Sequence, residues 1–179
     1  MSDTIEPAES VPGTTGLVLA GGGARAAYQV GVLQAIAELL PDGAVNPFPV
    51  ICGTSAGAIN ALALATNASD FSNGIARLSH VWSNFRCNQV YRSDWPGVVA
   101  QALRWTGANL LGIGRSVPTS LLDNRPLRHL LEKHLQFGRI EGALSKGHLR
   151  AVSLSAFGYQ SAQSVSFYQS HERIKPWSR

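Results

Sequence analysis

Ser55 lies in Gly53-Thr54-Ser55-Ala56-Gly57, directly after the apolar run Phe48-Pro-Val-Ile-Cys52 and directly before Ala58-Ile-Asn-Ala-Leu-Ala-Leu-Ala65. A serine between two glycines on a strand-to-helix turn has the layout of a nucleophile elbow. The glycines remove side chains where strand and helix crowd, and the hydroxyl projects above the sheet edge. At that place the N–H of Ala56 and the positive end of the following helix stabilise negative charge on a reacting oxygen. The structural alternative is a serine that merely caps its helix.

A second cluster, Gly21-Gly22-Gly23-Ala24-Arg25-Ala26, follows the apolar Gly16-Leu-Val-Leu-Ala20. It satisfies Gly-x-Gly-x-x-Ala, the looser form of the dinucleotide fingerprint. That use requires an acidic residue at the end of the second strand, to hold ribose hydroxyls. Cys52-Gly53-Thr54-Ser55 stands there instead, and Asp42 precedes the strand. A P-loop would need Gly-Lys-Ser/Thr, which is absent. The remaining use of three successive glycines is to expose backbone N–H groups, as an oxyanion hole requires. Two such turns side by side point to acyl hydrolysis.

The elements that must position them read as alternating strands and helices. Gly16–Ala20 is a short strand. Ala24–Leu40 carries Ala27, Val30, Leu33, Ala37 and Leu40 at helical intervals, and Pro41-Asp42-Gly43 ends it. The second strand, the elbow and a helix from Ala56 to about Thr66 follow, an order that implies parallel strands. Helices are predicted over 70–85 and 95–111, with a further one opening near Asp123 or Asn124 and carrying Pro126 in its first turn. Residues 149–157 alternate as a strand, 158–163 turn, and 164–168 form its hairpin partner. The chain then stops soon after that hairpin, which reads as an interrupted domain.

With 179 residues, 45% hydrophobic and 15% charged, the chain is globular and of single-domain size. Residues 1–14 differ: they hold Asp3, Glu6 and Glu9 with Pro7, Pro12 and Gly13, and no basic residue, as a flexible tail does. They resemble no signal peptide. Two cysteines, Cys52 and Cys87, make no disulfide framework, so a reducing cytoplasm is the expected compartment. No apolar run is long enough to span a bilayer. Arg77, Arg86, Arg92, Arg104 and Arg115 interleave with Trp82, Tyr91, Trp95 and Trp105. This mixture suits either solvated helix faces with tryptophans turned inward or peripheral contact with an anionic membrane surface. No nucleic-acid-binding motif accompanies the +4 net charge.

Taken together, Gly-Gly-Gly-Ala-Arg at 21–25, Ala-Tyr-Gln-Val-Gly-Val-Leu at 27–33, Gly-Thr-Ser-Ala-Gly at 53–57 and Ser120-Leu-Leu-Asp-Asn-Arg-Pro-Leu127 resemble the patatin-like phospholipase family. The resemblance runs from about Thr15 to Phe167. It implies a three-layer α/β/α fold with a mainly parallel sheet, truncated here at its C-terminal side, and hydrolysis of lipid or other ester substrates without metal or organic cofactor. It further implies Ser55 as nucleophile, with the backbone at Gly22, Gly23 and Ala24 joining Ala56 in the oxyanion hole. Arg25 would steady that loop or its charge. Ala26 stands where the family usually has glycine.

Patatin-like enzymes pair the serine with an aspartate in Asp-Gly-Gly or Asp-Gly-Ala, well downstream. The aspartates here are Asp3, Asp42, Asp70, Asp94 and Asp123, and only Asp42 is followed by Gly-Ala. Asp42 precedes the strand that ends at Ser55; five strand residues at about 3.3 Å each hold it roughly 15 Å away. The resemblance therefore implies an aspartate beyond Arg179, and little activity in the chain as it stands. A non-catalytic lipid-surface or partner-binding module that retains the fold is the alternative. A third reading, a Ser-His-Asp esterase, draws on His80, His129, His134, His148 and His171, with His171 the foremost because it follows the final strand.

Overall fold

The structure is a computed structural model that describes residues 15–84, 125–158 and 161–171. The chain divides into two units, Met1–Leu78 with Phe137–Arg179, and Ser79–Gln136. The first holds β1 (Gly16–Leu19), a 3-10 turn (Gly23–Arg25), α1 (Ala26–Glu38), β2 (Val50–Thr54), α2 (Ala56–Thr66) and α3 (Phe71–Ser83) as far as Leu78. In the second unit lies α4 (Arg125–His134); the first unit resumes with α5 (Gly138–Ser145), β3 (Ala151–Gly158) and β4 (Gln163–Ser170). The protein is thus mixed α/β, with a four-stranded, mostly parallel sheet flanked by helices.

Strand order is β1-β2-β3-β4; the first three run parallel and β4 returns antiparallel from β3. Register pairs Leu17 with Ile51 and Ile51 with Val152, and one step on pairs Leu19 with Gly53 and Gly53 with Leu154. These residues share one face of the pleat, because side chains alternate along a strand. Leu19, Ile51 and Val152 join Leu33, Ala61, Leu64, Phe71, Ile75, Ile140, Leu144 and Leu149 in one core, against which Leu17 and Leu154 pack. Full burial of a Leu, Ile or Phe side chain stabilises by about 1.5–3 kcal/mol each. On the opposite face Val18 is 78% exposed.

α2 forms because Ala-Gly-Ala-Ile-Asn-Ala-Leu-Ala-Leu-Ala-Thr is dominated by strong helix formers, and its buried row Gly57, Ala61 and Ala65 is small enough to lie close on the sheet. Its far end is tied to the loop before β2: Asn46 N–H donates to Ala68 O at 2.9 Å, and Phe71 N–H donates to Ala44 O at 2.9 Å. Asn46, itself buried, also donates through Nδ2 to the carbonyls of Phe48 (2.5 Å) and His148 (3.5 Å), joining the entries of β2 and β3.

Several expectations shift. α1 starts at Ala26, because residues 23–25 close a tighter 3-10 turn first. β2 starts at Val50: Pro49 has no N–H to donate to a ladder, though its carbonyl accepts from Arg150 and Ala151. α5 is an element that the sequence reading did not foresee. The helix expected over 95–111 lies outside the described residues, as do Asp94 and Asp123. Among the described residues no helix is long and apolar enough to cross a membrane.

Phe71 is almost fully buried and meets Phe48 edge-on, with ring centroids 6.0 Å apart. Phe71→Ala is expected to cost about 3–5 kcal/mol, read as a lowered urea midpoint with little change in m-value.

Candidate active site

β1 and β2 run in the same direction, so the turns that follow them emerge at one edge of the sheet. There Ser55 adopts φ 53° and ψ −125°. A non-glycine residue at positive φ is strained by about 1–3 kcal/mol and persists only where its surroundings enforce it. The surroundings here are backbone. A Cβ on Gly53 would meet Gly57 O at 2.6 Å and Ala58 Cα at 2.7 Å, and a Cβ on Gly57 would overlap the carbonyl oxygen of Leu19. With strand, helix and the neighbouring strand in such contact, the chain must turn sharply at residue 55.

The Ser55 side chain makes no capping hydrogen bond to α2, although it occupies the N-cap position. The helix is instead entered through Ala58 N–H, which donates to Ser55 O at 2.9 Å. A serine kept as a cap would use its hydroxyl there; this one leaves it exposed to solvent.

The glycine loop stands beside it. A methyl group on Gly21 would lie 3.1 Å from Ser55 Cβ and 3.8 Å from Ser55 Oγ. From Gly22 the chain winds into the 3-10 turn, with Arg25 N–H donating to Gly22 O at 3.2 Å and Ala26 N–H facing the carbonyls of Gly23 and Ala24. Carbonyls in such a turn point along the chain, so its leading N–H groups stand at the open N-terminal end. α1 and α2 both begin at this edge, and their positive ends favour an anion there. Gly22, Gly23, Ala24 and Arg25 are all exposed, and Ala56 is half-buried.

Two polar side chains that the sequence reading passed over fasten this loop. Gln29 Nε2 donates to Ala20 O at 2.7 Å. Asn60 Nδ2 donates to Ala26 O at 3.1 Å and to Gln29 Oε1 at 3.0 Å. The available signal was Asn60 itself, one amide in an otherwise apolar helix.

The family model described as "Patatin-like phospholipase" matches residues 17–172, most of the chain and both glycine turns. This protein belongs to the patatin-like phospholipase family. Comparison with curated proteins and with solved structures gives no significant match. Membership in the patatin-like family points to lipid acyl hydrolysis, and lipids are the family's substrates.

The acids and imidazoles of the first unit that the structure describes stand elsewhere. Asp42 lies in the loop before β2, at the opposite end of that strand from Ser55. Asp70 follows the 11-residue α2, a length of about 16 Å from Ser55, and its Oδ1 accepts from Asn73 N–H at the start of α3. The carbonyl of His148 is held by Asn46 at the entry to β3. His171 N–H donates to Arg150 O at 2.9 Å, because antiparallel β4 has carried the chain back to the start of β3. The Ser-His-Asp reading through His171 is therefore corrected: the last strand delivers that imidazole to the wrong edge of the sheet. His80, His129 and His134 belong to the second unit. On α4, Glu132 is held below its ordinary pKa by the hydrogen bond from Arg128 Nε at 2.8 Å, an exposed pair within that unit. No cluster suited to hold a metal ion occurs among the described residues.

Gly57→Ala places a methyl group against the Leu19 carbonyl. It is expected to destabilise the protein by about 1–3 kcal/mol through overpacking, measured by thermal or urea denaturation.

Proposed function

We propose that this protein is a serine acyl hydrolase acting on lipid esters, with Ser55 as nucleophile and the backbone N–H groups of Gly22, Gly23, Ala24 and Ala56 as the oxyanion hole. The observation that carries this reading is the strained backbone of Ser55, whose uncommitted hydroxyl abuts the Gly21 turn. Strain of this kind is kept where chemistry requires an exposed side chain in one place.

In the proposed reaction a carboxylate accepts the Ser55 hydroxyl proton while Oγ attacks the ester carbonyl carbon. The carbonyl oxygen becomes an oxyanion that accepts hydrogen bonds from the loop and from Ala56 N–H. Collapse of the tetrahedral intermediate breaks the bond to the alcohol, which leaves with the proton, and an acyl-Ser55 remains. Water, deprotonated by the same carboxylate, then attacks the acyl carbon; the bond to Ser55 Oγ breaks, Oγ takes the proton back, and the fatty acid leaves. The carboxylate is an aspartate from outside the described residues, downstream of the serine as the family pattern implies. Gly21, Gly53 and Gly57 act by permitting close backbone approach, and Arg25 closes the 3-10 turn through its own N–H.

In the full-length protein, Ser55→Ala is expected to lower hydrolysis of a short-chain p-nitrophenyl ester by about a thousandfold or more, with the melting temperature unchanged. The same substitution should abolish labelling by a fluorophosphonate probe. Retained turnover in the Ala variant would remove Ser55 from the mechanism.

A further inference from the structure

Asn60 is fully buried, on the fifth residue of α2. Asparagine is seldom found so deep, since a buried amide must recover by hydrogen bonding what it loses in hydration. Its Nδ2 recovers it twice, on Ala26 O at 3.1 Å and on Gln29 Oε1 at 3.0 Å. Gln29 passes the connection on, with its Nε2 donating to Ala20 O at 2.7 Å. The orientation of both amides follows from their partners. Backbone carbonyls only accept, so NH2 groups must face Ala20 and Ala26, which leaves Gln29 Oε1 to receive Asn60.

Ala20 and Ala26 are the residues on either side of the loop 21–25. The helix that begins at Ser55 therefore grips one end of the loop directly and the other through Gln29. We propose that Asn60 and Gln29 form a brace that sets the distance between the Ser55 hydroxyl and the loop's N–H groups, making them positioning residues for the oxyanion hole. This rests on the serine hydrolase reading above. Apolar side chains of similar volume would pack α1 on α2 equally well, but they would release the Ala20 carbonyl from Gln29 and leave the Ala26 carbonyl with its place in the α1 ladder alone. The loop itself is exposed from Gly21 to Arg25 and has little packing of its own to fix it. Oxyanion donors must meet a charge that exists only in the transition state, and a displacement of about 1 Å can cost 100-fold in rate.

The test uses full-length protein, a short-chain p-nitrophenyl ester and four variants: Gln29→Met, Asn60→Leu, the double variant, and Ser55→Ala as control. Gln29 is only half-buried and Met keeps its length and helix preference, so this variant keeps the experiment decisive if Asn60→Leu fails to fold. Expected is a fall in kcat of about tenfold or more in Gln29→Met with KM unchanged, since substrate binding does not need the oxyanion donors. The double variant should lose little beyond the worse single one, because each break releases the same connection. Amide hydrogen exchange across residues 20–26 should quicken in Gln29→Met while that of β2 stays slow. Wild-type kcat and unchanged loop exchange in a folded Gln29→Met would overturn the brace and leave the hydrolase reading standing. Absence of Ser55-dependent turnover in the wild type would overturn that reading, and the brace's catalytic role with it.

Discussion

Backbone-to-backbone contact between the end of β1 and the first turn of α2 is the constraint on which the rest of this architecture depends. Gly57 lies so close to the Leu19 and Ala20 carbonyls that no side chain fits between them. Parallel pairing of Leu19 with Gly53 brings the two strands to their ends level with one another. α2 must then leave the sheet at once, and Ser55 takes up the sharp turn at φ 53°. The row Gly57, Ala61 and Ala65 continues the same requirement along the helix, each residue buried and small. Exposure of the serine is thus a consequence of sheet register and helix approach. It needs no stabilising partner at the hydroxyl, which stays available for chemistry.

A second consequence is a division of polar groups between the two sheet edges. The edge that carries Ser55 is built from glycines, alanines and helix N-termini. The opposite edge holds Asn46, Asp42, Asp70, the entry of β3 after His148, and His171. Those residues close loops and start helices, as Asp70 does for α3 and Asn46 for β2 and β3. Their hydrogen bonds are local or structural, and their location follows from strand direction alone.

Much of this was legible in the chain, and the parts that were not share a cause. Ser55 and the Gly21–Gly23 cluster could be read because the chemistry of a tight turn is local: a strand, small residues and a helix in sequence. The β3–β4 hairpin was legible for the same reason, from alternation and turn residues. α5 escaped notice because Gly138 and Gly142 lower its helix propensity. It forms through the packing of Ile140, Ala143 and Leu144, three spaced residues whose pattern is too short to stand out. The place of His171 depends on which way the last strand runs relative to β2. The role of Asn60 depends on Gln29, 31 residues away in sequence, reaching it from another helix. Both are facts of tertiary pairing, which residue types and spacing do not contain.

The electrostatics of the serine edge bear on what kind of base can operate there. Two helix N-termini and a turn of exposed N–H groups converge on it, while Asp42 and Asp70 of the same unit stand at the opposite edge. Positive potential of this kind disfavours a protonated imidazole, the species that a histidine base must become when it takes the serine proton. The carboxylate base proposed above would enter such a field ionised and be neutralised only as the oxyanion forms. Negative charge then moves from the carboxylate to the substrate oxygen within one field, and total charge at the edge stays constant through the step. Within the first unit the two described histidines, His148 and His171, stand at the opposite end of the strands, so the proton acceptor proposed for Ser55 comes from neither of them.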